Sequence, residues 1–207
     1  PHEGTDRNMA ITAAQVKELR DRTSLGMMEC KKALTEANGD MDEAIRILRE
    51  RGALKAAKRE GRTAAEGLAA VAINDDRTAG VIVEVNSETD FVARNDEFAG
   101  LVAAVAKTAL AARPANLDAL LETPMDGKTV RAAVEEIQAK IGEKIVLSSY
   151  EHVEGELVAG YVHPPGKIGV LVAASGAEGD KDAATEVLRE VAMHIAAFAP
   201  RFLDRSS

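Results

Sequence analysis

Tryptophan is absent from this chain of 207 residues, phenylalanine occurs four times and tyrosine twice. With so few flat rings the sequence offers no platform on which successive bases could stack. Cysteine is scarcer still. The single Cys30 rules out an internal disulfide and suits a reducing compartment, so a cytoplasmic location is expected. Positive charge is in deficit: 26 Lys and Arg stand against 34 Asp and Glu, a net −8, which argues against direct binding to nucleic acid or to a membrane surface. No apolar run approaches the roughly 18 residues of a transmembrane helix. The start of the chain lacks the charged-then-apolar layout of a secretory signal.

What is present is aliphatic. A hydrophobic fraction of 46% with 29% charged residues fits a soluble globular protein of one to three compact units, with a core of Ala, Val, Leu and Ile. Residues 1–8, PHEGTDRN, precede Met9 without an apolar period. They read as an appended remnant or a disordered arm, and His2 is left out of any metal argument.

Three short helices are expected next. Thr12-Ala13-Ala14-Gln15 matches a capping box ahead of Val16 and Leu19. Gly26 leads into MMECKKALTEA, whose Met27, Cys30, Ala33, Leu34 and Ala37 share one helical face, and Asn38-Gly39 stops it. Asp40 and Glu43 form a second capping box for a helix using Met41, Ala44, Ile45 and Leu48, with Gly52 expected to end it. From Arg46 to Arg62, seven basic residues (Arg46, Arg49, Arg51, Lys55, Lys58, Arg59, Arg62) oppose only Glu50 and Glu60. Such a run reads as a solvated face and charged linker, or as a docking patch for an acidic partner.

The remainder carries an internal repeat. EGLAAVAINDDRTAGVIVEV, then a helix through LVAAVAKTALAA that ends before Pro114, is matched by EGELVAGYVHPPGKIGVLVAA, then a helix through VLREVAMHIAAFA that ends before Pro200. Each copy reads strand, tight turn, strand, helix, with Asn74-Asp75-Asp76 and Pro164-Pro165-Gly166 as turn chemistry. Between the copies an amphipathic helix over 129–142 uses Val130, Val134, Ile137 and Ile141, and IVLSSYEHV continues as a strand. The fold class expected is α+β: a three-helix module followed by two related antiparallel strand-and-helix subdomains. The boundaries are a module over 9–52, a basic linker over 53–63, a first core subdomain over 64–150 and a second over 151–207.

Signatures of covalent catalysis are missing: there is no phosphate loop, HExxH, GxSxG or paired CxxC. His152, His163 and His194 are scattered. The two in the second copy, His163 and His194, could approach each other, but two histidines without a third ligand make a weak metal site. No cofactor and no metal are expected, and Cys30 reads as a small apolar helix residue. Interaction features are stronger. Met27 and Met28 are consecutive and cannot both face one core, and methionine adapts well to a partner surface. In NSETDFVAR, residues 86–94, Thr89 or Asp90 could cap the helix that begins near Asn95 while Phe91 plugs the gap beneath it. Alternatively Phe91 is displayed for a partner. The period leaves both readings open.

These stretches resemble a known family, bacterial translation elongation factor Ts. MAITAAQVKELRDRTSLGMMECKKALTEANGDMDEAI is similar to that family's N-terminal module, and RGALKAAKR, EVNSETDFVAR, KIGEKIVL, GKIGVLVAA and VAMHIAAFAPRFL follow in the family's order. The resemblance runs from Met9 to about Arg205. It implies no enzyme but a guanine nucleotide exchange factor for elongation factor Tu, with a ubiquitin-associated-like N-terminal module docking on the GTPase domain. Met27, Met28 and Lys31 fall on the family's contact positions. Asp90 and Phe91 match the pair that enters the GTPase near its magnesium and phosphate site, and His163 matches a position close to the partner.

Longer family members continue with a helical hairpin and further strands, so an incomplete second subdomain and weaker binding are expected. Self-association into a homodimer stays open. The competing readings are a protein-binding adaptor that does not promote exchange and, on the scattered histidines alone, a metal-dependent enzyme.

Overall fold

The computed structural model describes residues 11–23, 25–176 and 179–202; the expectation for residues 1–8 lies outside them. Among the described residues the chain is α+β, with eight helices and antiparallel sheets. It divides into two compact units: residues up to Arg62 together with Gln138–Lys144, and Thr63–Ile137 together with the chain from Ile145 onward.

The helices of the first unit begin and end where local hydrogen bonding dictates. Helix α1 (Ala13–Thr23) opens on a reciprocal capping box: Thr12 N–H donates to Gln15 Oε1 at 3.0 Å, and Gln15 N–H donates to Thr12 Oγ1 at 3.2 Å. Two donors that a helix start leaves orphaned are thereby satisfied. Helix α2 (Met27–Glu36) stops where Asn38 and Gly39 take φ of 50° and 87°, and Gly39 N–H reaches back to the Leu34 carbonyl at 2.8 Å. Helix α3 (Met41–Arg59) starts on Asp40, whose carboxylate accepts from Glu43 N–H at 2.8 Å. Val16, Leu19, Cys30, Ala33, Leu34, Ala37, Ala44, Ile47 and Leu48 form the buried cluster between them.

Two expectations need correction here. Gly52 does not end the third helix, which runs on to Arg59. The following stretch is rich in Ala and Lys, good helix formers that outweigh one glycine. Ion pairs from Arg51 to Glu36 and from Lys55 to Glu29 also tie this turn to α2. Met27 is not part of the core face either. It sits in the first turn of α2, at the margin of the apolar arc, and is 53% exposed.

In chain order the second unit contains β1 (Glu66–Ile73), β2 (Ala79–Ser87), α4 (Asp90–Ala93), α5 (Asp96–Ala112), α6 (Leu117–Leu121), β3 (Pro124–Met125) and β4 (Lys128–Thr129). Helix α7 (Val130–Ile141) begins here, and β5 (Ile145–Glu154), β6 (Leu157–His163), β7 (Ile168–Ala174) and α8 (Lys181–Phe198) follow. Strands β1, β2 and β5 make one antiparallel sheet in that order, and β6 and β7 make a second, paired from Leu157 against Ala174 to His163 against Ile168. The β1–β2 turn is built by Asn74, whose side-chain oxygen accepts from the N–H groups of Thr78 and Ala79, both at 2.9 Å. Arg77 in that turn reaches Asp182 at 2.7 Å and Thr185 at 2.9 Å on α8.

The strands alternate their side chains between two faces. Val81, Val83 and Val85 are buried on the face that α5 covers, each contributing roughly 1.5–3 kcal/mol. Ile82 and Gly80 turn to the other face, against the second sheet. The two sheets approach closely because glycines stand at the crossing. A Cβ on Gly160 would lie 2.6 Å from Val71 Cγ1, and one on Gly80 would lie 2.9 Å from Val158 Cγ1. Helix α8 lies on β6 and β7, so the layers run α5, first sheet, second sheet, α8.

Candidate functional site

The first group of expected contact residues lies on α2. Met27 and Met28 are 53% and 65% exposed, and Lys31 is exposed as well. Spacings of three and four residues put Lys31 beside both methionines, making one outward patch of soft apolar surface with a cation. Both methionines point outward, although one exposed position was all that packing required. Leu54 on α3 is a further exposed apolar residue that periodicity did not single out.

The second group lies on α4, a single helical turn. Thr89 is its N-terminal flanking residue and makes no side-chain capping bond to it. Ser87, fully buried, donates its hydroxyl to the Thr89 carbonyl at 3.0 Å, which fixes the chain leaving β2. Val92 and Ala93 are buried. Asp90 pairs with Arg94 one turn later at 2.9 Å. Phe91 is left pointing away from this anchored turn, 80% exposed.

The plug reading of this junction is therefore overturned. Neither Thr89 nor Asp90 caps the long helix. Asn95 does, accepting from Glu97 N–H at 2.9 Å and Phe98 N–H at 3.2 Å. The ring that fills the gap beneath α5 is Phe98, wholly buried, not Phe91.

His163 stands exposed at the end of β6. Its Nδ1 lies 2.8 Å from the Tyr161 hydroxyl, and the two rings are 5.9 Å apart. His194 is on α8, stacked on Phe198 at 6.0 Å. His152 lies on β5, 3.4 Å from Glu154. Each histidine thus has its own neighbour. Among the described residues there is no group of three or more His, Cys, Asp or Glu able to hold a metal ion. Sequence reasoning missed Tyr161, although residues two apart on a strand share a face and Tyr-x-His was the signal that could have revealed it.

The chain has clear relatives. A family model described as Elongation factor TS matches residues 88–207. Elongation factor Ts of a Nitratiruptor species is 51% identical over 203 residues, covering 96% of this chain and 67% of the relative. The same-named protein of Dinoroseobacter shibae is 52% identical over 203 residues, with 96% and 66% covered, and that of Lacticaseibacillus casei is 50% identical over 200 residues, with 95% and 66% covered. The chain spans about two thirds of the length of these curated relatives. With a family model over more than half of its residues and half of its positions identical to such relatives, the chain belongs to the elongation factor Ts family.

Proposed function

We propose that this chain is a translation factor that binds elongation factor Tu and promotes release of its GDP. The observation that carries this reading is Phe91, a large ring held out from a turn whose own residues are anchored. An exposed phenylalanine forgoes roughly 1.5–3 kcal/mol of burial, which a partner recovers on binding. A ligand with equal affinity for both states of a partner shifts nothing. An exchange factor therefore has to favour the nucleotide-free GTPase, and bound nucleotide weakens the factor reciprocally. Each tenfold loosening of GDP needs about 1.4 kcal/mol of differential contact, the order of energy one inserted ring supplies.

In this reading Phe91 is the wedge at the magnesium and phosphate site, and Asp90, fixed by Arg94, holds its turn. Magnesium demands near-ideal octahedral geometry, so a small displacement of that site weakens the whole ion–phosphate assembly. Met27, Met28 and Lys31 dock the three-helix module, which we take to be ubiquitin-associated-like and to span 9–52, on the GTPase domain. His163 contacts the partner from the second subdomain, over 151–207. The two hairpin-and-helix halves are read as related copies. Release of fluorescent GDP from elongation factor Tu, chased with unlabelled nucleotide, tests the proposal: the chain accelerates release, and the variant Phe91→Ala does not. Binding without acceleration would favour the adaptor reading instead, which the Met27–Met28–Lys31 patch could serve alone.

Helix α8 supports the view that the second subdomain is incomplete. Helices α5 and α8 both end on a left-handed residue followed by proline, Arg113 and Ala199 with φ of 46° and 43°. Counting back from these, Leu101 and Val105 correspond to Val187 and Val191. The first pair is buried, with β3 packed against α5. The second pair is 60% and 42% exposed. Further strand-and-helix structure like that following α5 would cover this face.

A further inference from the structure

We infer that Tyr161 is a positioning residue that holds the His163 imidazole with Nε2 as a hydrogen-bond donor toward the partner; this rests on the reading of His163 as a partner contact. Tyr161 and His163 are two apart on β6 and so share one face of the second sheet. Tyr161 is half-buried and its strand is paired along its length, opposite Val170, whereas His163 is the last, exposed residue of the strand, just before the turn. An exposed side chain at such a place has two torsions that little packing constrains. What sets them is the Tyr161 hydroxyl, 2.8 Å from Nδ1, with the phenol ring tilted by 53° against the imidazole.

The direction of this bond follows from the chemistry of the two groups. A phenol oxygen is a good donor and a poor acceptor, while the unprotonated imidazole nitrogen is a strong acceptor. Tyr161 therefore donates to Nδ1. With Nδ1 committed as acceptor, the neutral ring carries its proton on Nε2. His163 then offers the partner a donor, and the matching group there is an acceptor such as a backbone carbonyl or a carboxylate.

The test uses the full chain and the variants Tyr161→Phe, His163→Ala, His163→Gln and the double variant Tyr161→Phe/His163→Ala. Nitrogen NMR of the histidine rings reads the pairing directly. In the parent protein the Nδ1 signal of His163 is that of a hydrogen-bonded acceptor, and Tyr161→Phe shifts it while leaving the His152 and His194 signals in place. In the GDP-release assay Tyr161→Phe lowers exchange efficiency by about fivefold, the effect of one net hydrogen bond, and adds nothing in the His163→Ala background. Glutamine, whose amide can donate from the place of Nε2, retains more activity than alanine at position 163. An unmoved Nδ1 signal in Tyr161→Phe, or an undiminished effect of that change when His163 is already alanine, overturns the proposal while His163 keeps its role. A His163→Ala variant with parental exchange removes the partner contact itself, and the proposal with it.

Discussion

Phe91 and Phe98 lie seven residues apart and sit in opposite environments, one largely exposed and one sealed beneath α5. Phe98→Ala is expected to cost about 3–5 kcal/mol, as an emptied core site does. Phe91→Ala is expected to change stability by no more than about 0.5 kcal/mol, the usual effect of a surface change, yet to abolish acceleration of GDP release. Urea unfolding alongside the exchange assay measures both, and a large stability loss in Phe91→Ala would return the ring to a structural role. The capping residue behaves differently again: Asn95→Ala removes the acceptor for two N–H groups and should cost about 1 kcal/mol. Asn95 followed by two acidic residues was legible as a helix start. The one-turn helix before it was not, because four residues are too few to show a period, and that turn alone decides where Phe91 points.

Most elements were legible because their signals are local. The capping box at Thr12, the cap at Asp40, the stop at Asn38-Gly39 and the two strand pairs are where composition and spacing placed them. The third helix overran Gly52 because the Ala- and Lys-rich stretch after it outweighs one glycine, and ion pairs to another helix, which no local window contains, also tie its last turns. The second sheet's closeness to the first was hidden for the same reason, since it depends on glycines meeting side chains far away in sequence. Gly160→Ala would press a methyl group into Val71 and is expected to cost about 1–3 kcal/mol. The helices themselves give a paired comparison. Leu101→Ala in α5 should cost about 2–5 kcal/mol, whereas Val187→Ala at the corresponding place in α8 should cost at most about 0.5 kcal/mol. Equal losses in thermal unfolding would mean that α8 already has a cover in solution.

Charge is unevenly divided over the whole molecule. Residues 11–62 carry twelve Lys and Arg against nine Asp and Glu, and residues 63–207 carry thirteen against twenty-three, so the acidic character of the chain belongs to its later part. Three groups bend its pH response in a stated direction. Hydrogen bonding from Thr78 holds the Asp76 carboxyl below its ordinary range, and that from Arg46 does the same for Glu43. Depressed carboxyls contribute stability that is present above their unfolded values near pH ~4 and is lost as pH falls through the folded ones. Burial, and then the charge of Glu151, raises the Tyr150 hydroxyl, which donates to the Pro114 carbonyl at 3.0 Å. Its contribution is present below about pH 10 and lost as pH rises beyond. The unfolding temperature should therefore fall at both extremes of pH, with Asp76→Asn softening the acid decline and Tyr150→Phe the alkaline one. A profile unchanged in both variants would contradict these assignments. Cys30 closes the account in a different way. It is the chain's sole sulfhydryl and lies wholly inside the three-helix cluster. A thiol reagent added to the native protein can react only when that cluster opens, so the labelling rate is a clock for the excursions of this unit alone, and slowing of that clock on adding a partner would report its engagement without any engineered probe.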